Sequence, residues 1–271
     1  MKSYMKMAVI AITGTAMLFT SCKKENNEPD PTINLSKLAE GYASGAATKV
    51  VVYTKEATIS TGYTKLYIAL YDSVTNNRVD DAHIHLSPLM DMGTMKHAAP
   101  YENPDEEAVN HLFPSTVTFI MSSMGGSWTI GISVHNHSNG KEGSLTIPVT
   151  VTEPAKTKIK SFTAAHDGGK YFVALTEPAS PKVGINDLEF VLYKKTSMMS
   201  FPADSSLTMT FIPEMPSMGH SSPNNVNPTH IGNGHYKGKV NFTMTGLWRL
   251  NMDFTSNGAV ADTTQYIDIE F

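Results

Sequence analysis

The sequence predicts an all-β protein: two β-sandwiches in tandem, placed after a signal peptide and a flexible tether. Three observations lead there. Apolar and polar residues alternate with a period of two through residues 43–271, no long segment holds a 3.6-residue period with helix caps, and Gly, Pro and Asn break the alternation at short, even intervals. Short strands at such spacing are the pattern of a sandwich. The sequence also repeats itself, and the repeat divides the strands into two sets.

The segment before the strands is read first. Lys2 and Lys6 form a basic start, residues 7–19 an apolar run, and Phe19-Thr20-Ser21-Cys22 supplies the small residues that a lipoprotein signal peptidase needs. The run is too short to span a bilayer, so residues 1–21 read as a cleaved lipoprotein signal peptide. Cys22 is the only cysteine of the 271 residues. It has no partner for an internal disulfide, and its position fits diacylglyceryl attachment. Residues 22–42 open with Lys23-Lys24-Glu25-Asn26 and continue polar and proline-rich, as a tether does. The Lys-Glu start resembles the short signal that sends some Bacteroidota lipoproteins to the cell surface, although Asn26 stands where a second acid is usual. The expected address is the cell envelope, as an outer membrane lipoprotein facing the periplasm or the cell surface.

The first sandwich is expected over residues 43–154, with strands at 49–53, 65–71, 82–89, 116–121, 128–134 and 144–151. The second is expected over 155–271, with strands at 159–164, 171–176, 188–193, 207–212, 239–244, 248–254 and 265–271. Glu153-Pro154-Ala155-Lys156 is the natural joint. Val117–Met121 aligns with Val240–Met244, and the strand opening at Trp128 aligns with the one opening at Trp248. Each Trp is expected to fill the core of its own sandwich.

The most specific pattern is a doubled loop. Pro88, Met90, Met95, His97 and Pro100 align with Pro213, Met215, Met218, His220 and Pro223 once a two-residue insertion in the first copy is allowed. Downstream, Asn103-Pro104 matches Asn227-Pro228, and equal spacing leads from each proline to His111 and His235. Thioether sulfur and neutral imidazole suit a soft ion such as Cu(I). The expected metal ligands are therefore Met90, Met95, His97 and His111 in one copy and Met215, Met218, His220 and His235 in the other, with Met92 and His230 as spares. Met209, Met244 and Met252 alternate within strands and are read as packing residues. Pro216 stiffens the shorter second loop, which predicts the tighter site there. His83-Ile84-His85 and His135-Asn136-His137, found in the first copy alone, each place two imidazoles on one strand face, where zinc or Cu(II) could bind.

From Phe172 to Phe254 the sequence resembles the YtkA-like and FixH-like family of extracytoplasmic immunoglobulin-like domains. The resemblance rests on Phe211-Ile212-Pro213, the loop from Met215 to His220, Gly234-His235-Tyr236-Lys237-Gly238, and Met244-Thr245-Gly246-Leu247-Trp248. The first half departs from it: Phe113-Pro114-Ser115 replaces the Gly-x-Tyr segment, and Ser122–Gly126 lengthens the turn before Trp128. The resemblance implies two immunoglobulin-like sandwiches and an envelope protein associated with copper handling. The expected partners are the membrane, through the lipid anchor, and a copper-transport or respiratory-oxidase assembly protein. Methionine also favours adaptable binding surfaces, which leaves an interaction or adhesion module without metal as the other reading. No nucleophile elbow, phosphate loop or dinucleotide fingerprint is present, so no enzyme is expected. With 25 acidic against 21 basic residues and no basic run, nucleic acid is not an expected partner.

Overall fold

Alternation becomes strands almost throughout residues 29–271, the part of the chain that the computed structural model describes. The expected signal peptide, Cys22 and the beginning of the tether lie outside these residues. The first half holds β1 (Ser36–Ala43), β2 (Thr48–Thr54), β3 (Ile59–Ser60), β4 (Gly62–Asp72), β5 (Arg78–Val79), β6 (Ala82–Asp91), β7 (Lys96–Ala98), β8 (Tyr101–Glu102), β9 (Phe113–Phe119), β10 (Ser127–Asn136), β11 (Lys141–Val149) and β12 (Val151–Thr152). The second holds β13 (Ile159–Thr163), β14 (Lys170–Glu177), β15 (Gly184–Lys195), β16 (Thr208–Met215), β17 (His220–Ser221), β18 (Val226–Gly232), β19 (His235–Phe242), β20 (Leu247–Ser256) and β21 (Ala259–Glu270).

Each half is a sandwich of two antiparallel sheets. In the first, β1-β2-β4-β9-β8 faces β11-β10-β6-β7; in the second, β13-β14-β15-β19-β18 faces β21-β20-β16-β17. The orders match strand for strand, so the sequence repeat is a repeat of topology. Two immunoglobulin-like sandwiches in tandem is the architecture. Inward residues fill separate cores, one around Leu66, Ile68, Phe119 and Trp128, the other around Tyr171, Phe190, Phe242 and Trp248. Both indoles are fully buried, as expected.

The first sandwich begins earlier than expected. β1 pairs with β2 from Ser36, so residues 36–42 belong to a sheet and not to the tether. Leu38 and Ala39 pack against the first core, which a polar tether would not do. The repeat extends to side chains: Asn103 accepts a hydrogen bond from the Leu86 amide (2.8 Å), and Asn227 accepts one from the Phe211 amide (3.2 Å). These bonds pin the returning chain to β6 and β16 at equivalent points.

Register breaks the expected equivalence of His111 and His235. Phe119 pairs with Gly62 and Phe242 with Gly184, and counting back makes Leu112, not His111, the counterpart of His235. His111 corresponds to Gly234, and both have a positive φ (63° and 73°). A slip of one residue turns a strand side chain to the opposite face.

The sandwiches also pack on each other. Ile159, Ala174, Val191 and Tyr193 of the second form an apolar seam with Tyr63 and Ile120 of the first. Polar bonds cross beside it: Lys65 to Glu177 (3.4 Å), the Ala98 amide to the Met198 carbonyl (2.9 Å), and His235 to Glu102 (2.8 Å). The contact exceeds what a simple joint at residues 153–156 would give.

Candidate metal centre

β6 runs through Pro88 to Asp91, and its inward side chains are Ala82, Ile84, Leu86, Pro88 and Met90. Met90 is therefore fully buried. The reading of a loop is corrected for Met90 and for Met215, which closes β16 in the same way and is 4% exposed: both are strand residues facing the core. The two-residue alternation simply carries on through the prolines.

Three strands bring the first set together. Trp128 on β10 stands opposite Met90 on β6, and Met90 stands opposite His97 on β7. His97 is buried, and its ring meets the Trp128 ring edge to face at 5.3 Å. Its Nδ1 lies 2.9 Å from the Ala98 carbonyl oxygen, and its Nε2 lies 2.9 Å from the sulfur of Met121. The short turn Ser123–Gly125 and Gly126 close the group from the other side. A Cβ on Gly125 would lie 3.2 Å from the Met121 methyl, 3.6 Å from the Met92 methyl and 4.0 Å from the Met90 methyl. Three methionine methyls thus converge over a pair of glycines, with the His97 imidazole against the sulfur of one of them.

The second set repeats this in a looser form. Met215 pairs with His220, and the His220 and Trp248 rings meet edge to face at 5.8 Å. The Trp248 indole donates to the Met244 carbonyl (2.9 Å), as the Trp128 indole does to the Met121 carbonyl (3.0 Å). Met244 is thus the counterpart of Met121, and a Cβ on Gly246 would lie 3.0 Å from the Met215 methyl. Met244 is 38% exposed, and the shorter loop has no counterpart of Met92.

The remaining expected ligands lie elsewhere. Met95 and Met218, at the hairpin tips, are 51% and 59% exposed. His111 bonds Asp80 at 2.7 Å. His235 is held between Glu189 on Nδ1 (2.7 Å) and Glu102 on Nε2 (2.8 Å). These carboxylates sit on opposite nitrogens of one ring, so the three groups cannot share an ion. Burial would push the His235 pKa down, but the two carboxylates outweigh it and hold the pKa above its ordinary value. His230 accepts a hydrogen bond from the Gly234 amide (3.3 Å). Met121 and Met244 were missed as site residues, although their alignment at the ends of matched strands was visible in the sequence.

His83, His85, His135 and His137 lie on the outer face of the first sandwich, with His83 directly opposite His135. Among the described residues, no group of three or more His, Cys, Asp or Glu side chains already stands where it could hold a metal.

Residues 165–253 match the family model described as YtkA-like. Most of the second sandwich is thus similar to the YtkA-like family. The match covers β16, β17 and most of β20, so Met215, His220, Met244 and Trp248 all lie inside the matched segment. Similar solved structures include the Escherichia coli adhesin FdeC, at 16% identity and a TM-score of 0.27, over 85% of this chain and 65% of that one. The chain thus spans about two thirds of that adhesin's length. A conserved domain protein from Bacillus anthracis shows 12% identity and a TM-score of 0.32, over 88% of this chain and 91% of that one. A DUF4785 family protein from Legionella pneumophila shows 11% identity and a TM-score of 0.28, over 83% and 57%. The comparison with curated proteins finds no match.

Proposed function

We propose that this is a non-catalytic, lipid-anchored envelope protein that captures copper as Cu(I) at two Met/His sites, for storage, sensing or transfer. The observation that carries this reading is His97 facing Met121. The Ala98 carbonyl can only accept from Nδ1–H, and in the tautomer that carries its proton there Nε2 turns a lone pair toward a thioether sulfur, itself an acceptor. Two donor atoms converging there favour a cation bound to one side of both, with a small rotation of either side chain, and the soft donors beside them favour a soft one.

The donor sets are Met90, Met92, Met121 and His97 in the first sandwich, and Met215, Met244 and His220 in the second. The first is more buried and has one more sulfur, so the tighter binding belongs there, the reverse of the order that Pro216 suggested. Exposed Met95 and Met218 fit a different task, contact with a copper-transport or oxidase assembly protein that gives or takes the ion. The YtkA-like match supports the envelope address, and Cys22 supplies the anchor.

Competition between a chromophoric Cu(I) chelator and the protein, freed of any polyhistidine tag, tests the copper reading. About two Cu(I) per chain should bind, one for each soft donor set. If the protein removes no copper from the chelator at any ratio, the reading fails, and the exposed methionines serve an interaction module without metal. Cys22→Ala should release the protein from the membrane fraction; unchanged partitioning would place the anchor elsewhere.

A further inference from the structure

The outer face of the β6–β10 ladder carries a second kind of donor set. β6 and β10 place His83 directly opposite His135, and Cβ atoms of such a pair lie about 4.5–5.5 Å apart. His137 follows His135 with its ring 4.9 Å away. Each of the three has Nδ1 turned to a carboxylate: His83 to Glu106 at 3.2 Å, His135 to Glu142 at 3.9 Å and His137 to Asp81 at 2.6 Å.

That arrangement has a chemical consequence. At His83 and His137 a carboxylate within hydrogen-bond reach of Nδ1 orients the proton there and leaves the Nε2 lone pair for a ligand, as around metal-bound histidines, while Glu142 stands farther from His135 and would have to close in. His85, on the same face, is different. Its Nδ1 lies 3.1 Å from the Asn103 side-chain nitrogen and its Nε2 lies 3.5 Å from the Tyr101 hydroxyl. We infer that His83, His135 and His137 form a site for one divalent borderline ion, Zn(II) or Cu(II), held through Nε2 with Glu106, Glu142 and Asp81 behind the rings. Three imidazoles and a water complete the four-coordinate shell that Zn(II) takes. The ladder fixes the backbone of His83 and His135, His137 opens the turn directly after β10, and closure requires rotation of solvent-facing rings. The site contains no sulfur, so it is independent of the Met/His sets and selects a different ion class.

Titration of the purified full chain, without a polyhistidine tag, with Zn(II) alone tests this. About one Zn(II) per chain should bind saturably, set by one three-imidazole group. Binding should vanish in the triple variant His83→Gln/His135→Gln/His137→Gln, whose exposed substitutions leave the circular dichroism of the fold unchanged. Asp81→Asn should weaken it by about 10–100-fold, the usual effect of losing a partner behind a ligand. His85→Gln should leave it unchanged. Met90→Leu/His97→Gln should also leave it unchanged while reducing Cu(I) uptake, which separates failure here from failure of the copper reading. Absence of saturable Zn(II) binding, persistence of binding in the triple variant, or an equal loss in His85→Gln would overturn the inference.

Discussion

Met121→Leu separates ligand from packing at the first Met/His set. Leucine fills nearly the same volume, so stability should change by less than about 1.5 kcal/mol. The sulfur facing His97 Nε2 is lost, and Cu(I) affinity at that site should fall at least about tenfold, or about 1.4 kcal/mol. Chelator competition and denaturant unfolding of the same variant check the two halves; equal Cu(I) affinity in wild type and variant would remove Met121 from the donor set. The same residue shows what was legible beforehand. Met90, His97, Met215 and His220 announce themselves in a repeated loop, but Met121 lies just past the end of β9, 24 residues from His97. Only the sheet order brings them together. His111 and His235 mislead for the opposite reason, since equal spacing from a proline says nothing about which face a strand side chain takes.

At the scale of elements, most long strands are legible in their two-residue period, but β1 hides in the polar segment read as tether, β18 is exposed on nearly every residue and shows no alternation, and the short strands are not legible at all. β3, β5, β7, β8, β12 and β17 are two or three residues long, too few for a period to show, and the approaches of other strands define them. β7 and β17 nonetheless matter most, because they set His97 opposite Met90 and His220 opposite Met215. The turn from β9 to β10 closes the first set for a related reason. A side chain at Gly126 would collide with the Asp91 carbonyl and approach the Met90 methyl to 3.1 Å, so a glycine lets the turn lie directly on the β6–β7 hairpin. In the second sandwich the shorter turn with Gly246 covers Met215 and leaves Met244 half open.

For the whole molecule, the interface between sandwiches carries an ionic clasp. Both nitrogens of His235 lie against carboxylates, one from each sandwich, and only an imidazolium can donate to both. Tyr63 donates to the other Glu102 oxygen at 3.3 Å. The raised His235 pKa means that its contribution is complete below the ordinary histidine value of 6.5 and is lost as pH rises through the folded value. Glu102 works from the acid side. Burial pushes its pKa up, but the hydrogen bond and charge of His235 bring it below the ordinary 4.5, so its contribution is lost as pH falls through that lowered value. The melting temperature should therefore decline as pH rises from 6.5 through the raised folded value of His235, and His235→Gln should remove that decline. A wild-type profile that stays flat from weakly acidic to alkaline pH would show that the clasp contributes nothing.

The bond from the Ala98 amide to the Met198 carbonyl ties the strand that bears His97 to the neighbouring sandwich. Whatever fixes the imidazole also fixes one side of that seam, so ion loading and docking are thermodynamically linked, and each must favour the other by the same free energy. Cu(I) at the first set should slow hydrogen exchange of the Ala98 amide and of the loop around Met198, which contributes none of the proposed ligands. Identical exchange with and without copper would mean that the two sandwiches keep no account of each other's state.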